Sequence, residues 1–268
     1  MIATASTSGY APVNNLQMYY EIHGSGEPLV VIHGAFMTIE GFGALLPALA
    51  ANRQVIAVEL QGHGRTADID RPLSFAAMAD DVAALSRHLG IDRTDVFGYS
   101  LGGGVALQIA IRHPELVRKL IVAAAPFKTS GIYPEVAAGM KSISPEMFAG
   151  TPMETAYRQT APNPEQWPRL IEKIKELDRN ALDWPEEDIH GIVASTMVVV
   201  GDADIVRPSH AVEMFELLGG GIPGDFGVMP RAQLAVLPGT GHIGVIERGD
   251  WLIPMVEAFL AAPMPEAP

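Results

Sequence analysis

The sequence predicts an α/β fold: a mostly parallel, twisted sheet with helices on both faces and one helical insertion. From residue 28 onward, short runs rich in Val, Ile and Leu alternate with longer segments of helical period. That is the pattern of strands buried on both faces and joined by crossover helices. Between residues 127 and 190 the alternation stops, prolines recur at 134, 145, 152, 162, 164, 168 and 185, and no strand-like run occurs. The composition, 48% hydrophobic and 18% charged over 268 residues, supplies enough apolar surface for a packed core.

A hairpin is expected within residues 11–22, followed by strands at 29–32, 54–58, 95–97, 119–122, 197–200 and 233–237. Between them, Phe75, Met78, Val82, Leu85 and Leu89 recur at spacings of three and four, which makes one apolar helical face. Ser74 is suited to cap that helix. A second helix is expected over 101–112, ended by Pro114, and a third over 209–218, ended by Gly219-Gly220-Gly221. Helices over 134–143 and 168–180 would begin at proline, which a first turn tolerates. Residues 1–126 and 191–268 thus form the expected core, and 127–190 a helical cap or lid. Inserted after the fourth parallel strand, such a segment would cover the carboxyl edge of the sheet, where open α/β sheets bind ligands.

The 18 Lys and Arg against 31 Asp and Glu give a net charge of −13. A chain so acidic repels nucleic acid and anionic membrane surfaces, so neither is expected as a partner. The absence of cysteine removes disulfides, thiol nucleophiles and cysteine metal sites. No metal or other cofactor is expected: the histidines are not at ligand spacing, and Gly102-Gly103-Gly104 does not make a dinucleotide-binding turn. Residues 1–9 lack the basic start and apolar core of a secretory leader. No apolar run approaches the roughly 20 residues of a membrane span, and a cytoplasmic location is the expectation. Nothing in the sequence specifies an oligomeric state.

The sharpest motif is Gly98-Tyr99-Ser100-Leu101-Gly102, which leaves a strand and opens a helix. Small residues permit a tight turn that projects the Ser100 hydroxyl at the helix N-terminus, where the dipole favours developing negative charge. A serine hydroxyl is a weak nucleophile and needs a base within hydrogen-bond reach and a carboxylate to orient that base. Of the eight histidines only His242 lies in a glycine-rich loop directly after a late strand. Gly201-Asp202-Ala203-Asp204 ends the preceding strand with two acids, of which Asp202 is placed to brace the turn and Asp204 to reach the site. Asp204 is favoured, and the order Ser, Asp, His is then one of the known triad orders. His33, His63 and Arg65 are expected to be structural, and His113 to end a helix.

These motifs resemble those of α/β-hydrolase fold enzymes of the cofactor-free esterase, haloperoxidase and carbon–carbon hydrolase group. The likeness rests on Val31-Ile32-His33-Gly34-Ala35, Gln61-Gly62-His63-Gly64-Arg65, the serine turn, Arg112-His113-Pro114-Glu115, Gly201-Asp202-Ala203-Asp204 and Gly241-His242, and covers nearly everything outside residues 127–190. It implies Asp204 as the triad acid and an oxyanion hole made by the backbone amides of Ala35 and Leu101. Relatives that open epoxides or cleave alkyl halides carry an aspartate where this chain has Ser100. The implied activity is serine hydrolysis of an ester or related acyl bond in a small, mostly apolar substrate, as in carboxylesterases. Carbon–carbon hydrolysis and perhydrolysis share the same triad, and a non-hydrolysing ligand receptor of the same fold is the alternative of another class. Phe36, Met37, Phe127, Met140, Met147, Phe148 and Trp184 are candidates for the walls of an apolar acyl or aryl site.

Overall fold

In the computed structural model, residues 7–180, 182–227 and 229–264 are described. Residues 1–6, on which part of the leader reading rests, lie outside them. The sheet has eight strands: β1 (Thr7–Val13), β2 (Leu16–His23), β3 (Pro28–Ile32), β4 (Gln54–Val58), β5 (Thr94–Tyr99), β6 (Val117–Ala123), β7 (Ser195–Ala203) and β8 (Ala232–Gly241). Their spatial order is β1-β2-β4-β3-β5-β6-β7-β8. The β1–β2 and β2–β4 pairs are antiparallel, and every later pair is parallel. The hairpin turns through Asn14 and Asn15, at φ 44° and 67°. Two successive positive φ angles make the tight turn whose twist matches the flanking strands, and asparagine tolerates them.

The α-helices among the described residues are α1 (Leu45–Leu49), α2 (Phe75–His88), α3 (Leu101–Arg112), α4 (Pro134–Met140), α5 (Pro152–Thr160), α6 (Trp167–Asn180), α7 (Glu186–His190), α8 (Pro208–Leu217), α9 (Gly244–Glu247) and α10 (Gly249–Ala261). Ser74 caps α2 by accepting the Ala77 N–H at 3.0 Å. Strand side chains alternate between two cores. Val30 and Ile32 pack with α2 and α3, whereas Leu29 and Val31 pack with α1 and α10. Burial on both faces is why the strands read as unbroken apolar runs. None of the helices is long and apolar enough to cross a membrane.

Two charged groups are buried within the sheet. Lys119 on β6 donates to the carbonyls of Phe259 at 2.7 Å and Leu260 at 3.3 Å, and also to that of Ala262. These carbonyls end α10 and have no acceptor role within it, so the ammonium satisfies them and favours the helix dipole. Asp95 on β5 accepts from Arg118 at 2.5 and 2.9 Å and from Arg53 at 3.3 Å.

Between β6 and β7 the described residues form α4 to α7 and no strand. Proline opens α4 and α5 and is the second residue of α6. Helix α4 stops at Met140, short of the expected 143, and a 3-10 turn follows at Pro145–Phe148. Trp167, Leu170, Ile171, Ile174 and Leu177 pack into the same core as α2 and α3. The inserted helices are therefore continuous with the core on one face of the sheet. At the other end of the sheet's topology, β7 and β8 run beyond their expected ends, and a register shift between Gly201 and Ala203 lets pairing resume at Ala203 and Gly241. Such bulges re-aim side chains. Here the re-aimed segment carries both aspartates.

Candidate functional site

Ser100 stands between β5 and α3 with φ 54° and ψ −118°. That conformation is strained for a residue with a Cβ and persists only where the surroundings enforce it. Its N–H donates to the Ala123 carbonyl at 2.8 Å, and its own carbonyl accepts from Gly103 and Gly104 at 2.9 and 3.2 Å. A Cβ at Gly98 would collide with the Gly102 carbonyl, and one at Gly102 with the Ile32 carbonyl. The flanking glycines thus let α3 close onto the strand ends while the serine side chain stays outside the packing.

His242 follows β8 and lies between Ser100 and Asp204. Its Nδ1 is 2.7 Å from Asp204 Oδ1 and its Nε2 is 2.9 Å from Ser100 Oγ. A carboxylate only accepts, so Nδ1 carries the proton and Nε2 is left to accept from the Ser100 hydroxyl. The Asp204 carboxylate is buried and also accepts from the N–H groups of Val206 at 3.1 Å and Gly201 at 3.4 Å. Asp202 is exposed and does not meet His242. It accepts the Thr240 N–H at 3.0 Å, and with the Gly239 N–H this bond holds its carboxyl below the usual range. Tyr99 donates to the His242 carbonyl at 3.1 Å and lays its ring 5.3 Å from the imidazole.

The turn after β3 faces Ser100. His33 is buried, accepts the Leu60 N–H at Nε2 (3.1 Å) and therefore donates from Nδ1 to the Gly34 carbonyl (2.7 Å). Burial pushes its pKa down to about 4, and that of the adjacent His63 to about 3. Both rings are neutral braces. Phe36 follows at φ 63°, which keeps Ala35 beside the serine. The Leu101 amide lies in the first turn of α3 and has no acceptor within the helix.

A buried carboxylate anchors the chain just beyond that turn. Glu59 accepts from the Ile39 N–H at 3.3 Å and from the Arg65 N–H and guanidinium at 2.5 and 2.8 Å. Burial pushes its pKa up to about 7 against the pull of Arg65. Arg65 also pairs with Glu40, so the β4-end turn and the segment after Phe36 are tied together.

Two cavities meet at Ala35, Phe36, Ser100, Met140, Ile205 and His242. The smaller is about 140 Å³ and the larger about 500 Å³. Of the expected wall residues, Phe36 and Met140 line both, while Met37 and Phe148 line the larger. The other three line neither. Phe127 is wholly buried with its ring 4.6 Å from His210, Met147 is 64% exposed, and Trp184 stacks edge-on behind Phe75 at 5.3 Å.

Residues 29–254 match the model of the alpha/beta hydrolase family. The chain belongs to this family. It is 30% identical over 263 residues to the dihydrolipoyllysine-residue acetyltransferase component of an acetoin cleaving system of Pseudomonas putida, across 91% of this chain and 66% of that protein. Against a soluble epoxide hydrolase of a Corynebacterium species it is 36% identical over 124 residues, 45% of this chain and 42% of the relative. The chain thus spans about two thirds of the first relative's length and less than half of the second's. A meta-cleavage product hydrolase of Pseudomonas fluorescens superposes with TM-score 0.74 at 23% identity, over 96% of this chain and 97% of that one, which shows a common fold.

In this alpha/beta hydrolase several site residues carry no signature of their own. Phe75 and Gly104 bound the smaller cavity, but in the sequence Phe75 reads only as part of an apolar helical face and Gly104 only as part of the glycine run after the serine. Ile205 lines both cavities, and its place directly after Asp204 was the one available signal. Tyr99 occupies the variable place of the serine motif, and Glu59 the polar end of an apolar strand.

Proposed function

We propose that this hydrolase cleaves an ester or related acyl bond of a small, uncharged, mostly apolar molecule, with Ser100 as nucleophile, His242 as base and Asp204 as its orienting acid. The observation that carries the reading is the hydrogen-bonded line from Asp204 through His242 to Ser100, with the serine opening onto both cavities. Ser100 Oγ adds to the acyl carbon as Nε2 takes its proton, and the amides of Ala35 and Leu101 hold the oxyanion. The imidazolium returns that proton to the departing alcohol, leaving an acyl-serine. Water then repeats the sequence: His242 takes its proton, the acyl-serine bond breaks, and the carboxylic acid leaves as Ser100 is reprotonated. Helices α4 to α7 act as the cap over this chemistry.

The mostly apolar lining favours uncharged substrates, and Glu40 and Glu247 on the larger cavity, with no Lys or Arg among the described lining residues, oppose carboxylate-bearing ones. Epoxide opening as performed by relatives with an aspartate nucleophile is disfavoured by Ser100. A fluorophosphonate probe, read by intact mass, should add once to wild type and not to Ser100→Ala. Turnover of 4-nitrophenyl butyrate should fall by roughly a million-fold in that variant. Folded wild type that neither labels nor turns over uncharged esters would instead favour a ligand receptor, and faster turnover of carboxylate-bearing esters would overturn the substrate class.

A further inference from the structure

The two cavities differ in more than size. The smaller is lined by Leu101 and Gly104 in the N-terminal turns of α3, by Phe75 against Gly104, and by Ile143, Ile174 and Leu182. Among the described residues, Ser100 and His242 are its only polar side chains. The larger runs along the residues that follow His242, namely Ile243, Ile246 and Glu247. In acyl transfer the departing oxygen must lie against His242 Nε2 to receive its proton, whereas the acyl carbonyl sits between the amides of Ala35 and Leu101. The leaving group therefore extends along the His242 side, and the acyl chain turns past Leu101 into the smaller chamber.

We propose that the smaller chamber is the acyl subsite, that Phe75 is its floor, and that it admits one aromatic ring or an unbranched acyl group of about six carbons, while the larger cavity takes the alcohol. The assignment rests on the hydrolase reading above. The size follows from the volume: an apolar cavity of about 150 Å³ lined by Leu, Ile and Phe binds benzene, and this chamber is about 140 Å³. The floor is fixed from two sides. Trp184 holds the Phe75 ring edge-on at 5.3 Å, and Gly104 leaves the space that ring occupies, since a Cβ there would lie 2.5 Å from Phe75 Cε1.

The test measures kcat/KM for 4-nitrophenyl esters from acetate to decanoate, with benzoate, in wild type, Phe75→Leu and Ile143→Phe. Phe75→Leu lowers the floor, and Ile143→Phe narrows a half-buried wall from the inserted segment. Each protein is first shown to label stoichiometrically at Ser100, so that a variant that fails to fold is set aside and the other decides. In wild type, kcat/KM should rise roughly fourfold per methylene up to about six carbons and then fall. The maximum should move to longer chains in Phe75→Leu, and to shorter chains with weaker benzoate turnover in Ile143→Phe. A wild-type maximum at acetate or at decanoate, or a maximum that neither labelled variant moves, overturns the assignment. Loss of labelling and of all ester turnover in wild type overturns the hydrolase reading, and the subsite with it.

Discussion

Replacing Asp204 by asparagine tests the proposed role of the acid with almost no change of shape. Asp204 Oδ1 accepts from His242 Nδ1 at 2.7 Å and from the Val206 N–H at 3.1 Å, and Oδ2 faces the Gly201 N–H at 3.4 Å. Three donors thus converge on a group that only accepts. An asparagine whose oxygen replaces Oδ1 keeps the first two bonds but turns its NH2 against the Gly201 N–H. The flipped rotamer satisfies Gly201 but opposes Val206, and its NH2 makes Nδ1 an acceptor. The ring proton then sits on Nε2, pointing at the Ser100 hydroxyl, and the base can no longer take the serine proton. Loss of the tautomer in a triad lowers kcat by about 10⁴, or about 5 kcal/mol in the barrier. Ester kinetics of Asp204→Asn at neutral pH, with a thermal melt to show that it folds, should give this loss. Asp202→Asn is the control: Asp202 is exposed, and an amide oxygen can still accept the Thr240 N–H at 3.0 Å, so activity should stay within about threefold. A folded Asp204→Asn within tenfold of wild type would refute the role assigned to Asp204.

The chain should also lose stability in mild acid. His33 and His63 have folded-state pKa values pushed below 6.5, to about 4 and about 3. The unfolded chain therefore binds more protons, so their contribution is fully present above pH 6.5 and is lost as the pH falls through that window. His33 alone accounts for about 3 kcal/mol by pH 4. Glu59, raised to about 7, acts in the opposite sense, its contribution falling as the pH rises from about 4.5 to 7. Urea unfolding at pH 7 and pH 4.5 should therefore show a smaller loss in His33→Gln than in wild type, and equal slopes would contradict the buried neutral state. Gly102→Ala should cost several kcal/mol, because its Cβ would collide with the Ile32 carbonyl. A melting temperature within a few degrees of wild type would show that α3 can move off the strand ends.

Much of this fold was legible because parallel strands buried on both faces leave a simple trace. β4 spans the expected residues 54–58 and α3 the expected 101–112. The trace fails where local preference and tertiary pairing diverge. β7 and β8 extend through glycine-containing ends that read as loop, because the bulge at Gly201–Ala203 lets the two strands keep pairing to Ala203 and Gly241. Helix α5 escaped notice for a different reason: it is nine residues long, and its inward stripe is only Met153, Ala156 and Tyr157, too short to stand out as a period.

At the site, backbone demands were legible and side-chain directions were not. A turn that forces Ser100 to φ 54° leaves its mark in the glycines around it. Membership of a cavity wall leaves none: in one short turn Phe148 packs against Phe36 at 4.8 Å while its neighbour Met147 faces solvent. Glycine can even conceal the more informative of two reasons for its presence. Gly64 has φ 50°, so the sequence marks it as a turn residue. A Cβ there would also collide with the Glu59 carboxylate, which holds the Ile39 and Arg65 amides beside the Ala35 turn. The conformational need can be inferred from residue type, but the steric one depends on a side chain five positions back in the same connection, and only the folded chain brings the two together.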